Sequence, residues 1–80
     1  MHFVYVLRSE KTGRRYIGCT QDVAIRLKKH NSGATPSTRT GRPWRVIHTE
    51  EFALKSDALS RERFLKSGQG REYLDRILST

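Results

Sequence analysis

The chain has 80 residues, 16 Lys and Arg against 8 Asp and Glu, a formal net charge of +8 and a mean hydropathy of −0.71. That length fits one domain, residues 1–80, and a chain so short buries only about 60% of the surface it exposes when unfolded. The single cysteine, Cys19, excludes an intrachain disulfide, no apolar run approaches the ~18 residues of a membrane span, and "MHFVYVLRSEK" has too short an apolar core for a signal peptide, so a cytoplasmic protein is expected.

The first predicted element is a strand over Phe3–Leu7, where aromatic and large apolar residues alternate with valines. "SEKTGR" reads as a turn, with Gly13 available for a positive φ, and Arg15–Cys19 as the returning strand. A hairpin centred between Glu10 and Lys11 sets Tyr5 directly opposite Tyr16, because paired residues of antiparallel strands share a face. Thr20 is the expected N-cap of a first helix, with Asp22 complementing its positive end. This helix runs to Asn31, where "NSG" offers a left-handed stop. Its buried stripe is predicted as Val23, Ala24 and Leu27, with Lys28 and Lys29 in water.

Residues 32–43, "SGATPSTRTGRP", read as a polar loop carrying Arg39 and Arg42, either mobile or ordered by a ligand. Trp44–Phe52 is a third strand. Ser56 caps a second helix to Lys66, Gly68 and Gly70 break it, and a short last helix packs Tyr73, Leu74, Ile77 and Leu78. The order is ββαβαα, an α/β (α+β) layer on a small antiparallel sheet. Neither repeats nor low-complexity tracts occur.

The excess of positive charge is spread along the chain. A folded domain of this kind attracts polyanions, and phosphate contacts make binding weaken with salt. Nucleic acid is the first reading; an anionic membrane surface and charge kept for solubility alone are the others.

Several residues depart from what a merely structural domain needs. At about 100° per residue, Glu62 falls between Ala58 and Leu59, inside the apolar sector of its helix. A buried carboxylate needs an ion pair or a cation; Lys66 at i+4 or an arginine across the core would serve. Arg26 and His30 form an i, i+4 pair at the margin of the first helix's stripe. Taken singly they read as a solvated arginine and a dipole partner at a helix end. Tyr5 and Tyr16 taken singly read as packing residues with bonded hydroxyls. Gly18 is harder to explain, since glycine weakens a strand unless something approaches its backbone closely.

"VYV" around Tyr5 followed by "YIG" at Tyr16–Gly18 resembles the paired signature of the GIY-YIG nuclease superfamily. Arg26 and His30 follow at spacings similar to the family's helical Arg and His. "HNSG", "EEF" and "SDALSRERFLKSGQGRE" resemble its small stand-alone members, and the chain is also similar to the catalytic domain of the excision-repair endonuclease subunit. The resemblance spans Phe3–Glu72 and implies a three-stranded antiparallel sheet flanked by helices.

The resemblance further implies an endonuclease hydrolysing DNA phosphodiester bonds with one divalent metal, Mg²⁺ or Mn²⁺. Carried over by position, Glu62 is the metal ligand, Arg26 the phosphate clamp, Tyr5, Tyr16 and His30 the proton-handling group, and Gly18 the motif glycine, there for close approach of backbone to the phosphate or tight packing of the helix. Such chemistry needs charge neutralised before water attacks an anion, which one carboxylate with Mg²⁺ and a planar guanidinium can do. A phenol with a pKa of about 10 needs help from positive charge or a proton path to His30.

Three departures stand out. Phe3-Val4-Tyr5 replaces Gly-Ile-Tyr while keeping the tyrosine. No Asn follows Asn31, where many members carry one near the site. No appended DNA-binding domain is expected, so affinity should come from the basic surface, including Arg14, Arg15, Arg39 and Arg42, and sequence specificity should be low. Structured or damaged DNA in repair is the expected substrate, with RNA left open and a repair protein a conceivable partner. The alternative is a catalytically weak or inactive nucleic-acid-binding module of a repair complex. The nuclease reading requires the acid, the guanidinium and both phenols to line one cleft.

Overall fold

The computed structural model describes residues 1–78. Strands β1 (His2–Ser9) and β2 (Arg15–Thr20) form a hairpin, followed by α1 (Val23–Asn31), the single turn α2 (Pro36–Arg39), β3 (Trp44–Phe52), α3 (Lys55–Lys66) and α4 (Gly68–Leu78). The sheet is antiparallel throughout, with strand order β2-β1-β3. The α+β architecture expected from the sequence is therefore present, with α2 added to ββαβαα.

Central strand β1 is covered on both faces, so Val4, Tyr5, Val6 and Leu7 are all buried. Val4 and Val6 join Ala58, Leu65 and Leu74 under α3 and α4. Tyr5 and Leu7 join Trp44 on the opposite face, where Tyr16, Val23, Leu27 and Val46 pack. Each fully buried aliphatic side chain contributes about 1.5–3 kcal/mol, so the α3–α4 side supplies most of the purely apolar stabilisation.

The hairpin register differs from the expected one. Tyr5 lies opposite Gly18, and Tyr16 opposite Leu7. The turn is centred one residue later because Ser9 organises it: its Oγ accepts from Lys11 N (3.2 Å) and Thr12 N (2.9 Å), and Gly13, at φ 79°, donates to Ser9 O. This displacement preserves parity, so both phenols still share a face.

Helix α1 is capped by Asp22, whose Oδ1 accepts from Ile25 N at 3.0 Å, and not by Thr20. Thr20 Oγ1 instead accepts from Asp22 N (3.2 Å), pinning the turn that precedes the cap. Gly33, at φ 84°, provides the expected left-handed stop. Ala24 is exposed and His30 fully buried, because the inward row is Val23–Leu27–His30, an i, i+4, i+7 stripe.

Residues 32–43 are held by their own chain rather than left as a plain loop. Ser9 Oγ donates to Gly41 O (2.6 Å), and Trp44 Nε1 to Thr38 O (2.7 Å). The Asn31 side chain brackets the Trp44 backbone at 2.7 and 3.0 Å.

Helix α3 starts after Leu54, without a side-chain cap; Ser56 lies within its first turn, where Asp57 complements the dipole. Gly68 and Gly70 begin α4 rather than merely ending α3. Ser67 Oγ accepts from Gly70 N (3.2 Å), and a Cβ on Gly70 would collide with the backbone of Phe64 and Leu65. Close helix crossing is what that glycine permits. Leu74 is fully buried, whereas Ile77 is 43% exposed and takes little part in packing.

Candidate active site

Four of the residues singled out in the sequence converge on one face of the sheet. Tyr5, on β1, is 1% exposed, and its ring lies across Gly18 on the neighbouring strand. A Cβ on Gly18 would stand 2.5 Å from Tyr5 Oη and 2.7 Å from Cζ. The bare glycine thus makes room for the phenol, rather than for backbone against a phosphate or for a closer helix.

Tyr5 Oη is 3.0 Å from His30 Nε2 and accepts from Arg26 Nε at 3.4 Å. The Tyr16 ring is 6.4 Å from that of Tyr5 and meets His30 edge-on at 4.8 Å. Arg26 lies within reach of both hydroxyls, and hydrogen bonding to Tyr5 raises its pKa first, with Tyr16 adding to the effect. Burial raises the Tyr5 pKa, and the lowering from Arg26 does not offset it. Tyr5 therefore stays a neutral phenol, and positive charge does not activate it. Tyr16, in contrast, is only half-buried.

His30 is fully enclosed, and burial, then the charge of Arg26, lowers its pKa. A buried neutral imidazole is poised to accept a proton through one nitrogen and donate through the other. It is not a solvated partner of the helix end. Its Nδ1 is 2.8 Å from Thr38 Oγ1, a fully buried hydroxyl supplied by α2. Sequence reading missed Thr38. The signal was "TPST", where Pro36 stands at the first position of a helical turn.

Glu62 approaches differently. Its helix packs on the Val4–Val6 face, opposite the phenols, so acid and rings do not rise from a common floor. The separation is a single edge strand, β2. On its far face Cys19 sits beside Glu62; burial, then the adjacent carboxylate, push the thiol up to about 11. On the near face Gly18 leaves only backbone between Cys19 and the Tyr5 hydroxyl, and the Glu62 charge is among those raising the Tyr5 pKa. The one cleft expected of acid, guanidinium and phenols is therefore not formed: Glu62 lies on the other face of the sheet from both rings, and its charge is the smallest of the contributions to the Tyr5 pKa.

The carboxylate of Glu62 is 19% exposed, and its Oε2 accepts from Lys66 Nζ at 2.7 Å, the i+4 pair allowed for in the sequence. Lys66, at 53% exposure, can swing away on its flexible stem. Among the described residues no group of three or more His, Cys, Asp and Glu could cage an ion. One accessible carboxylate fits Mg²⁺, which commonly takes one or two protein carboxylates and fills its shell with water and phosphate oxygens.

The arginines named from the sequence do not form one patch. Arg14 and Arg15, with Lys66 and Arg71, rim a groove of about 520 Å³ beside Tyr16. Arg15 also pairs with Asp75 at 2.7 Å, and Arg14 donates to Ser37 O at 3.0 Å. Arg39 and Arg42 line a separate hollow with Lys11, each using its Nε on a backbone carbonyl. No helix among the described residues is long and apolar enough to cross a membrane.

Comparison with known proteins bears on this geometry. The family model described as the GIY-YIG catalytic domain matches residues 1–73. The chain is 37% identical to a UPF0213 protein of Staphylococcus aureus over 67 residues, covering 82% of this chain and 80% of that one. A UPF0213 protein of Staphylococcus saprophyticus is 36% identical over the same shares. The solution NMR structure of a UPF0213 protein from Bacillus halodurans superposes with a TM-score of 0.58 at 37% identity, covering 95% of this chain and 83% of that one. The matched family is nuclease-like; its domains bind nucleic acid substrates and generally use divalent metals. With the family model matching residues 1–73 of this 80-residue chain, and these relatives beside it, the chain belongs to the GIY-YIG catalytic domain family.

Proposed function

We propose that residues 1–80 are one nuclease domain, a metal-dependent endonuclease that hydrolyses DNA phosphodiester bonds with low sequence specificity, acting on structured or damaged DNA. The observation that carries this reading is the meeting of the Arg26 guanidinium with two phenols and a neutral imidazole, the Glu62 carboxylate lying one strand away.

Arg26 would grip the non-bridging oxygens of the phosphate, a contact that strengthens as charge builds in the transition state. Tyr16 is the phenol solvent can reach, so it would hold the attacking water, while buried Tyr5 orders Arg26 from beneath. Glu62 would hold a single Mg²⁺ or Mn²⁺ once Lys66 moves aside. When bound, the ion supplies Lewis-acid neutralisation of the phosphate. Lys66 and Arg71 join Arg14 and Arg15 in carrying the DNA backbone along the groove beside Tyr16.

The Glu62–Lys66 pair favours a second reading, because a neutralised acid is also what a binding module without turnover would show. Incubation with branched, nicked and plain duplex DNA, in Mg²⁺, Mn²⁺ or chelator, separates the two. Metal-dependent nicking, severely reduced by Glu62→Ala and by Arg26→Ala, is expected. Gel retardation without cleavage of any substrate would favour the binding module. Cutting that is equal in chelator would remove the metal.

A further inference from the structure

We infer that Thr38 is a positioning residue of this site, fixing the tautomer of His30 and thereby the direction of a buried hydrogen-bond chain that ends on Arg26. The role extends the nuclease reading, on which its catalytic meaning rests.

The direction of the chain can be derived from either end. Arg26 has only donors, so its Nε–H must donate to Tyr5 Oη, 3.4 Å away. The Tyr5 hydroxyl then needs an acceptor for its own proton, and His30 Nε2, at 3.0 Å, is the acceptor beside it. That nitrogen must therefore be unprotonated. In a neutral imidazole the proton then resides on Nδ1.

From the other end, Thr38 Oγ1 donates its proton to Thr35 O at 3.3 Å. The hydroxyl oxygen is left to accept, and His30 Nδ1–H is its partner at 2.8 Å. The two ends agree on one sequence of donors: Arg26, Tyr5, His30, Thr38, and finally a backbone carbonyl. Aligned chains of this kind strengthen each member by mutual polarisation.

Thr38 is itself fixed. Its carbonyl accepts from Trp44 Nε1 at 2.7 Å, and its side chain is fully buried. Without the hydroxyl, His30 Nδ1–H would lose its acceptor in a dry site. The ring would then favour the tautomer protonated on Nε2. Tyr5 Oη would face two donors with no acceptor for its own proton, and Arg26 would lose the contact that aims it. The segment that reads from sequence as a loop awaiting a ligand thus supplies the anchor of the guanidinium.

Ring ¹⁵N shifts of His30, measured by NMR in the wild type, in Thr38→Val and in Thr38→Ser, test this directly. The wild type and Thr38→Ser should show the proton on Nδ1, and Thr38→Val should lose that preference. Cleavage of nicked or branched DNA in Mg²⁺ should fall about 10–100-fold in kcat for Thr38→Val, by analogy with the loss when hydrogen-bond partners that orient metal-bound histidines are removed. KM should change little, and Thr38→Ser should restore the rate. A wild-type ring protonated on Nε2 would overturn the inference, and so would a Thr38→Val protein with unaltered shifts and rate. If Thr38→Val fails to fold, the wild-type and Thr38→Ser shifts decide the tautomer. If the wild type itself cuts no DNA, the nuclease reading fails, while the shifts alone still support or overturn the positioning role.

Discussion

The two faces of the sheet are built from the same alternating strand and do different work. Beneath α3 and α4, Val4, Val6, Ala58, Leu65 and Leu74 are fully buried and carry no polar side-chain atoms. Beneath α1 and α2, equal burial encloses a phenol, an imidazole and a hydroxyl, each with a hydrogen-bond partner. Burying polar groups is tolerable only when they are satisfied, and a network that is satisfied holds a specific geometry. In this domain apolar packing on one face leaves the other free to hold a polar arrangement.

Substitutions on the two faces should therefore dissociate stability from turnover. The largest stability effect is expected for Leu65→Ala, about 2–5 kcal/mol, typical of truncating a fully buried leucine. Denaturant unfolding should register it, while the cleavage rate per folded molecule falls far less than for Arg26→Ala, since Leu65 touches only the floor of the groove beside Tyr16. Arg26→Ala should do the reverse: an unfolding midpoint near the wild type, with cleavage lowered about 10²–10³-fold, the scale for removing a donor aimed at transition-state charge. Equal loss of stability in both variants would mean that the polar face is part of the structural core.

Much of this division is legible in the sequence, and the exceptions share a cause. Strand Trp44–Phe52 and the end of α1 at Asn31 follow from local pattern and stop signals. Tyr5, Tyr16, Arg26, His30 and Glu62 stand out because each breaks an otherwise apolar or structural pattern. What fails depends on non-local geometry. Ser9 moves the hairpin centre through side-chain bonds that strand alternation does not encode. Thr38 reads as one more polar loop residue until β3 brings Trp44 against it. The placement of Glu62 on the opposite face from the phenols depends on how α3 packs on the sheet, to which helical periodicity is blind.

A smaller effect probes the seam between the faces. Gly18→Ala puts a methyl group against the Tyr5 ring. Overpacking of this kind costs about 1–3 kcal/mol, and cleavage should fall with it because the ring is forced off Arg26 and His30. Combining Gly18→Ala with Tyr5→Val relieves the clash. Stability should recover in part and activity should not. Recovery of both would mean that the Tyr5 hydroxyl is dispensable.

The smallest expected effect is a pH dependence of stability that belongs to the polar face alone. Burial and Arg26 hold the His30 pKa below its unfolded value of about 6.5. As pH falls through that value, the unfolded chain takes up a proton that the folded chain refuses. Protonation then favours unfolding, so the stability that neutral His30 contributes is present above about pH 6.5 and is lost progressively below it. The Glu50 carboxylate, where Arg61 and His48 outweigh the effect of burial, is held below the ordinary carboxylate range, so its contribution persists to lower pH before it too is lost. Thermal melts from pH 7.5 to 5 should show a decline in the wild type that is shallower in His30→Gln. The decline should remain in Thr38→Ser, which keeps the imidazole enclosed. A wild-type melting point that is flat across this range would mean that His30 is hydrated and free to titrate, and the polar face would then lack the closed hydrogen-bond chain that distinguishes it from the apolar one.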